Sequence, residues 1–280
     1  MDGNTVEEEL RRKNRALTAL SQCNQALLRA RDETTFINEL CDILVRLGGY
    51  RFAWVGYRMD DADKTVRPVG HSGKEDGYLA DLRISWADGP LGQGPTGTAI
   101  RTGEVVVCRN ILSDPRYQPW RRQAKERGYA SSIALPLRND EGCFGALNLY
   151  AEAPDAFDDH ETALLRELAE DLAYGITALR TRRHLVESEQ RYRLLVETAN
   201  DAILLADAAS GRIIDANPAA EALLGVHRAE IIGMHQSEIH PPEERERCRK
   251  IFREHTEHGK VIAEDLVILR RDGRRVPVQV

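Results

Sequence analysis

Three groups of residues in this 280-residue sequence have the types and spacing to do chemistry. Gly92, Gly94 and Gly97 spell GxGxxG, a turn that cradles a pyrophosphate when a strand precedes it and a long helix follows. Here Gly89 and Pro90 precede it and Gly103 stops the following helix early, so the glycines read as a tight turn in a lid. The second group is sulfur and imidazole. Cys23, Cys41, Cys108, Cys143 and Cys248 contain no CxxC pair, which removes a cysteine-based zinc knuckle and suits a reducing compartment. Cys108 ends a short strand, where a thiolate could reach haem iron. His255 and His258 are i,i+3 neighbours with Cys248 two turns earlier, a spacing able to hold a metal. The surrounding RERCRKIFREHTEH alternates basic and acidic groups like a solvated face, and no metal is assigned. The third group is aromatic: Trp54, Trp86, Trp120 and Tyr129 fall beside one sheet and its lid, where rings could sandwich a flat ligand. No Ser, Thr or Cys is arranged with a His as nucleophile and base, and His184 reads as a solvated linker residue.

The elements that must position these groups fall into two unlike blocks. A first helix, about Val6 to Arg31, places Leu10, Leu17, Leu20, Asn24 and Leu27 on a 3-4 stripe. That stripe suits a two-stranded seam with Asn24 fixing its register, or packing against its own domain. A helix from Thr35 to Leu47, strands at Arg51–Arg58 and Thr65–His71, a short helix Thr96–Arg101, and strands at Val105–Val107, Ser131–Leu137 and Gly145–Tyr150 follow. From Asp158, capped with Glu161, a long helix carries Leu165, Leu168, Leu172, Leu179 and Val186 at coiled-coil spacing, interrupted by Gly175 and Arg182. Leu164 and Ile176 form a second stripe that could hold this helix to the first block. The second block has strands at Ala202–Ala206 and Arg212–Ala216, a helix from Pro242 to His258, and strands from Val261 to Arg270 and on to Val280.

Composition narrows the function classes. At 42% hydrophobic and 30% charged, the chain reads as globular, long enough for two domains with their own cores. A net charge of −6 lacks the basic excess that displaces counterions from nucleic acid. No apolar run reaches membrane-span length, and the polar start is unlike a signal peptide; a cytoplasmic location is expected.

The stretch GQGPTGTAIRTG through SSIALPL resembles the GAF family of small-ligand sensor domains. SEQRYRLLVETANDAILLAD with GRIIDANPAAEALLGVHRAEIIGM resembles the PAS family. The resemblances imply an α+β architecture of two domains, each an antiparallel sheet with flanking helices, joined by a long signalling helix. The boundaries expected are a coiled-coil-like helix at 1–31, a GAF-like domain at 15–182, a linker helix at 158–197 and a PAS-like domain at 188–280. A PAS domain normally adds one further strand in the middle of a five-stranded sheet, so this chain reads as the front of a longer protein.

In the GAF-like domain the sheet would be one wall of a pocket and the short helices its lid. The ligand-binding candidates are Trp54, Trp86, Cys108, Trp120 and Tyr129, with Asn217 of NPAAEALLG and Cys248 in the PAS-like domain. A GAF relative that reduces free methionine sulfoxide uses cysteines where this chain has Trp86, Thr96 and Lys125. Arg109 follows Cys108 where bilin-binding relatives pair Cys with His, and the motifs of cyclic-nucleotide GAF domains and flavin-binding PAS domains are not evident. Cys248 stands roughly where haem-binding PAS domains carry a histidine. The expectation is a homodimeric, non-enzymatic sensory module that binds an unknown small molecule and regulates a downstream output domain. That domain is most often a histidine kinase, sometimes a diguanylate cyclase or phosphodiesterase. A ligand-free dimerisation scaffold and a haem or redox sensor are the alternatives.

Overall fold

Period-two alternation along five strands gives the first unit two half-cores. The computed structural model describes the backbone of residues 3–258 and 265–280, and within them the side chains from residue 14 on except 16, 81, 255, 257 and 258. β1 (Phe52–Arg58), β2 (Val66–Gly73), β3 (Val106–Cys108), β4 (Ser131–Asn139) and β5 (Gly142–Ala151) form one antiparallel sheet in the order β2-β1-β5-β4-β3. Val55, Tyr57, Ile133, Leu135, Leu147 and Leu149 face helices α1 (Gly3–Arg29), α2 (Glu33–Arg46) and the long α6 (Asp159–Glu197). Phe52, Trp54, Cys108 and Tyr150 face the other way. There α3 (Tyr78–Asp81), α4 (Pro95–Thr102), a 3₁₀ turn at Pro115–Trp120 and α5 (Arg121–Glu126) form a lid.

Local chemistry sets the helix ends. The Asp32 carboxylate accepts from the Thr35 amide at 2.8 Å, so α2 starts two residues before the expected Thr35. Its Phe36, Ile37, Leu40 and Leu44 make the buried face. α4 follows Gly94 with Pro95 in its first turn and stops at Gly103, whose φ of 71° belongs to the left-handed region. Asp158 accepts from the Glu161 amide at 2.8 Å to cap α6.

The leucine stripes lie differently from the seam read in the sequence. Leu165, Leu168 and Leu172 are buried in the unit's own core and Leu179 leans on it, along with Leu20 and Leu27 of α1. Leu17 and Asn24 are exposed, and the side chain of Leu10 lies outside the described residues. Gly175, which breaks the leucine spacing, explains the inward turn: a Cβ there would collide with Leu27 and Phe36, so its absence lets α1 and α2 close on α6. Ile176 is buried in that core, as its stripe anticipated. Past this contact, residues 181–195 of α6 are all exposed.

The second unit, residues 184–280, has two antiparallel pairs and not one sheet among its described strands. β6 (Leu204–Ala206) pairs with β7 (Ile213–Ala216), and β8 (Leu266–Leu269) with β9 (Arg275–Val278). Each pair is closed by a local turn through a left-handed glycine, Gly211 or Gly273. Helices α7 (Pro218–Leu224), α8 (Arg228–Ile231) and α9 (Arg245–His258) and a 3₁₀ turn at Gln236–Ile239 complete it. Ile213, Ala220, Leu224, Ile231 and Ile268 make its core. α9 begins at Arg245, later than Pro242, because residues 241–244 form a turn closed by the Glu244 amide on the Pro241 carbonyl. The expected strand start at Val261 lies outside the described residues.

Candidate functional site

The floor of the lid pocket is written in the strand register. Cys108 stands opposite Ser132, Ser132 opposite Tyr150, and Tyr150 opposite Phe52. Two residues along β5, Asn148 stands between Ala134 and Trp54. Above this floor the rings close on one another. Phe52 and Tyr129 stack with centroids 5.8 Å apart, Tyr129 meets Tyr150 at 4.7 Å, and Tyr78 sits edge-on to Phe52, Tyr129 and Tyr150. Tyr117 meets Trp120 edge-on at 5.9 Å. Edge-to-face and offset contacts of this kind are the favoured geometries of aromatic quadrupoles. The space left between Tyr78, Tyr117, Trp120, Tyr150 and the start of α4 is about 10 Å³, about what one water needs.

Polar groups tie the lid to the floor. The Thr96 hydroxyl at the start of α4 donates to Asn148 Oδ1 at 2.7 Å, and Asn148 Nδ2 donates to the Ala146 carbonyl at 3.2 Å. Trp54 Nε1 donates to the Tyr150 hydroxyl at 3.4 Å, Trp120 Nε1 to the Arg83 carbonyl at 3.1 Å, and the Tyr129 hydroxyl to the Lys74 carbonyl. The buried hydroxyl of Tyr78 meets those of Tyr117 and Tyr150, and among the described residues the buried hydroxyl of Ser132 has no hydrogen-bond partner. Burial pushes the Tyr78, Tyr117 and Tyr150 hydroxyls up, so all three stay neutral at physiological pH.

The glycine triplet serves close packing. A Cβ at Gly97 would run into the carbonyl oxygens of Ser85 and Gly92, and one at Gly94 into the Trp120 ring. Arg101 of α4 stitches the same loop, donating to the carbonyls of Ala87 at 3.1 Å and Gly92 at 2.9 Å.

Of the residues singled out in the sequence, Trp54, Trp120, Tyr129 and Cys108 share this one cluster. Trp86 packs at its edge, with Lys64 4.7 Å and Arg58 5.2 Å from its ring centroid and Nε1 donating to the Met59 carbonyl at 2.8 Å. The Cys108 thiol is pushed up to about 12 by burial and then by the carboxylate of Asp114, a poor setting for a metal-binding thiolate. Asn217, in the second unit, is a structural clip. Its Oδ1 accepts from the amides of Ile203 at 2.8 Å and Ala220 at 2.9 Å, while Nδ2 donates to the carbonyls of Val196 at 3.1 Å and Asp201 at 2.9 Å. Both lone pairs and both hydrogens are taken within the unit. Cys248 is buried, and burial raises its thiol. The side chains of His255 and His258 lie outside the described residues; among the described residues no three His, Cys, Asp or Glu side chains gather as a metal site.

Sequence reading missed Phe52, Tyr78, Tyr117, Tyr150 and the Thr96–Asn148 pair. Asn148 carried a signal, a lone amide inside the apolar strand GALNLYA, where a buried polar side chain needs a partner.

Residues 30–177 match the family model described as GAF domain, and residues 200–280 the one described as PAS domain. The methyl sulfide methyltransferase-associated sensor of Methanosarcina acetivorans is 28% identical over 148 residues, which are 52% of this chain and 15% of that protein. This chain therefore spans a small part of the curated relative it matches. The GAF domain of a phosphoenolpyruvate-protein phosphotransferase from Coxiella burnetii superposes with a TM-score of 0.51 at 19% identity, covering 60% of this chain and 96% of that one. The free methionine-R-sulfoxide reductase of Neisseria meningitidis does so with 0.50 at 23%, covering 60% and 91%. At such identities these two likenesses establish the fold.

Proposed function

We propose, for a chain that belongs to the GAF domain family and carries a PAS domain behind it, that the first domain is the sensing element of a signalling input module. A small ligand enters between sheet and lid, and the change passes along α6 to an output domain, with a histidine kinase the leading reading. The observation that carries this is the Thr96–Asn148 bond, which fastens the lid helix to the central strand β5. The neighbouring residues of β5, Leu147 and Leu149, face the opposite half-core with Leu168 and Leu172 of α6. A ligand that prefers one lid position biases β5, and β5 bears on α6 through packed side chains.

The module works as a homodimer in this reading. Leu185, Val186, Tyr192, Leu194 and Leu195 are exposed apolar side chains on the free part of α6, and a helix that exposes them all round gains stability from a partner. The positions that reductase relatives fill with cysteine are Trp86, Thr96 and Lys125 here, which supports sensing over catalysis. No described helix is long and apolar enough to cross a membrane, in keeping with a cytoplasmic module.

A second reading, a ligand-free dimerisation scaffold, draws on the tight closure of the aromatic cluster. Native and denaturing mass spectra of one purified sample, with its absorption spectrum, separate the two. A small molecule lost on denaturation supports sensing, and a colourless dimer without one supports the scaffold. A Soret band would instead move haem into first place.

A further inference from the structure

The side of α6 turned away from the core carries a stripe that the fold of the first unit does not use. Leu172 and Ile176 are buried in that core, and Tyr174, two positions from each, lies about 200° from both around the helix. It points outward and is 74% exposed. From Tyr174 an alternating four-three spacing runs through Leu185, Tyr192 and Leu195, with the smaller Ala178, Thr181 and Ser188 between them. All seven residues are exposed, over about 32 Å of helix.

Charge singles this stripe out. A seven-residue repeat can be laid on the exposed part of α6 in seven phases, and each of the other six takes in at least one arginine. The phase through Leu179, Val186 and Val196, for example, also carries Arg182, Glu189 and Arg193. Covering such a face would strip charges of their water without a built counter-charge. The stripe from Tyr174 to Leu195 holds no charged residue. Its Thr181 hydroxyl donates to the Thr177 carbonyl at 3.0 Å, so that polar group is satisfied within its own helix when water is excluded.

We infer that this face takes the same face of a second copy of the chain, parallel and in register. This rests on the reading of the module as a homodimer and names the surface and orientation it uses. In register, each of the seven residues meets its own counterpart, so Leu185, Tyr192 and Leu195 form apolar layers. His184, on the flank of the stripe, falls beside the partner's Glu189, since flanking positions five residues apart meet across a parallel pair. Arg191 then meets the partner's Val196 and Arg182 the partner's Thr177, so no like charges are opposed. A reversed partner cannot match all seven positions. It sets Tyr174 against position 199, past the end of α6, or Leu195 against Asp171.

The test compares lysine substitutions on and off the stripe in the full chain, read by sedimentation. Leu185→Lys and Tyr192→Lys should weaken self-association about tenfold or more, whereas Val186→Lys and Leu194→Lys should change it less than about twofold. All four side chains are exposed, so each variant keeps the parent fold, which circular dichroism checks. Orientation is read from Leu195→Cys under mild oxidation. A parallel pair brings the two new thiols together, and a reversed pair holds them about 25 Å apart or more. A covalent dimer above the background of the five native cysteines is expected. Four lysine variants that weaken a dimeric parent equally overturn the stripe and leave the homodimer standing. A dimer whose Leu195→Cys variant cross-links no more than the parent overturns the parallel register. A parent chain that stays monomeric at about 100 μM overturns the homodimer reading, and this inference with it.

Discussion

Arg180 of α6 grips Glu33 of α2 through two hydrogen bonds, Nε at 2.9 Å and Nη2 at 2.7 Å, with its guanidinium 4.5 Å from the Tyr57 ring centroid. The Tyr57 hydroxyl donates to the same carboxylate. The next residues of α6, 181–195, are exposed, and the Arg183 charge among them still acts on the same carboxylate. Arg180→Ala and Glu33→Gln should each cost about 1–2 kcal/mol, the bidentate bonds being moderated by partial exposure. Burial pushes the Glu33 carboxyl up, but the hydrogen bonds from Arg180 and Tyr57 outweigh it and hold the group below its ordinary value. A depressed carboxyl contributes stability above its unfolded value and loses it as pH falls through the folded one. The gap in melting temperature between the parent chain and Glu33→Gln should therefore narrow in acid below the usual glutamate range; a gap independent of pH would remove the ion pair from the account.

Gly97→Ala should destabilise the first domain by about 1–3 kcal/mol, because its Cβ meets two backbone carbonyls that cannot swing away. Gly89→Ala, with open space around the added carbon, should be near neutral. Urea titrations of both variants, followed by tryptophan emission, give the comparison. Equal stabilities would mean the glycine turn does not depend on close approach.

Thr96→Val keeps the shape of the side chain and leaves Asn148 Oδ1 without its donor. A loss of about 1–3 kcal/mol is expected, together with faster amide exchange in α4. Exchange unchanged across residues 96–102 would show that the lid is held elsewhere.

Asn217→Ala should unfold or loosen the second unit, with a loss of about 2 kcal/mol or more from a cap and three further hydrogen bonds. A ligand role for Asn217 would instead leave stability untouched. Thermal melts of the variant separate these outcomes.

Leu185→Lys should weaken self-association and leave the fold intact, since Leu185 is 70% exposed. Leu172→Lys should unfold the first domain, since Leu172 is buried in its core. Sedimentation with circular dichroism tests both. A Leu172→Lys that stays folded and loses only the dimer would restore the seam first read from the spacing.

The architecture was legible because it is carried by local signals: glycines that end helices, the apolar strand run at Ser131–Leu137, and motif wording over both domains. Helix facing was not. The repeat of Leu165, Leu168 and Leu172 fits a coiled-coil seam and a domain core equally well, and only the contact of Leu27 and Phe36 with Gly175 decides between them. The site was half legible. Tryptophans stand out by rarity, whereas Tyr78, Tyr117 and Tyr150 come from three separate elements and meet only after folding. Asn217 stood out as a motif residue, whereas its four hydrogen bonds, to Val196, Asp201, Ile203 and Ala220, exist only in the folded unit.

If the proposed dimer forms through α6, coupling between lid and helix is read from the dimer dissociation constant of the full chain. Thr96→Val lies on the far side of the sheet from α6 and touches no exposed side chain of that helix. It should nevertheless shift the dimer constant about fivefold or more, the size of an ordinary allosteric coupling. A dimer constant identical to that of the parent chain, with the Trp120 indole N–H resonance visibly moved by the substitution, would show that the lid changes without informing the helix, and the coupling would fall.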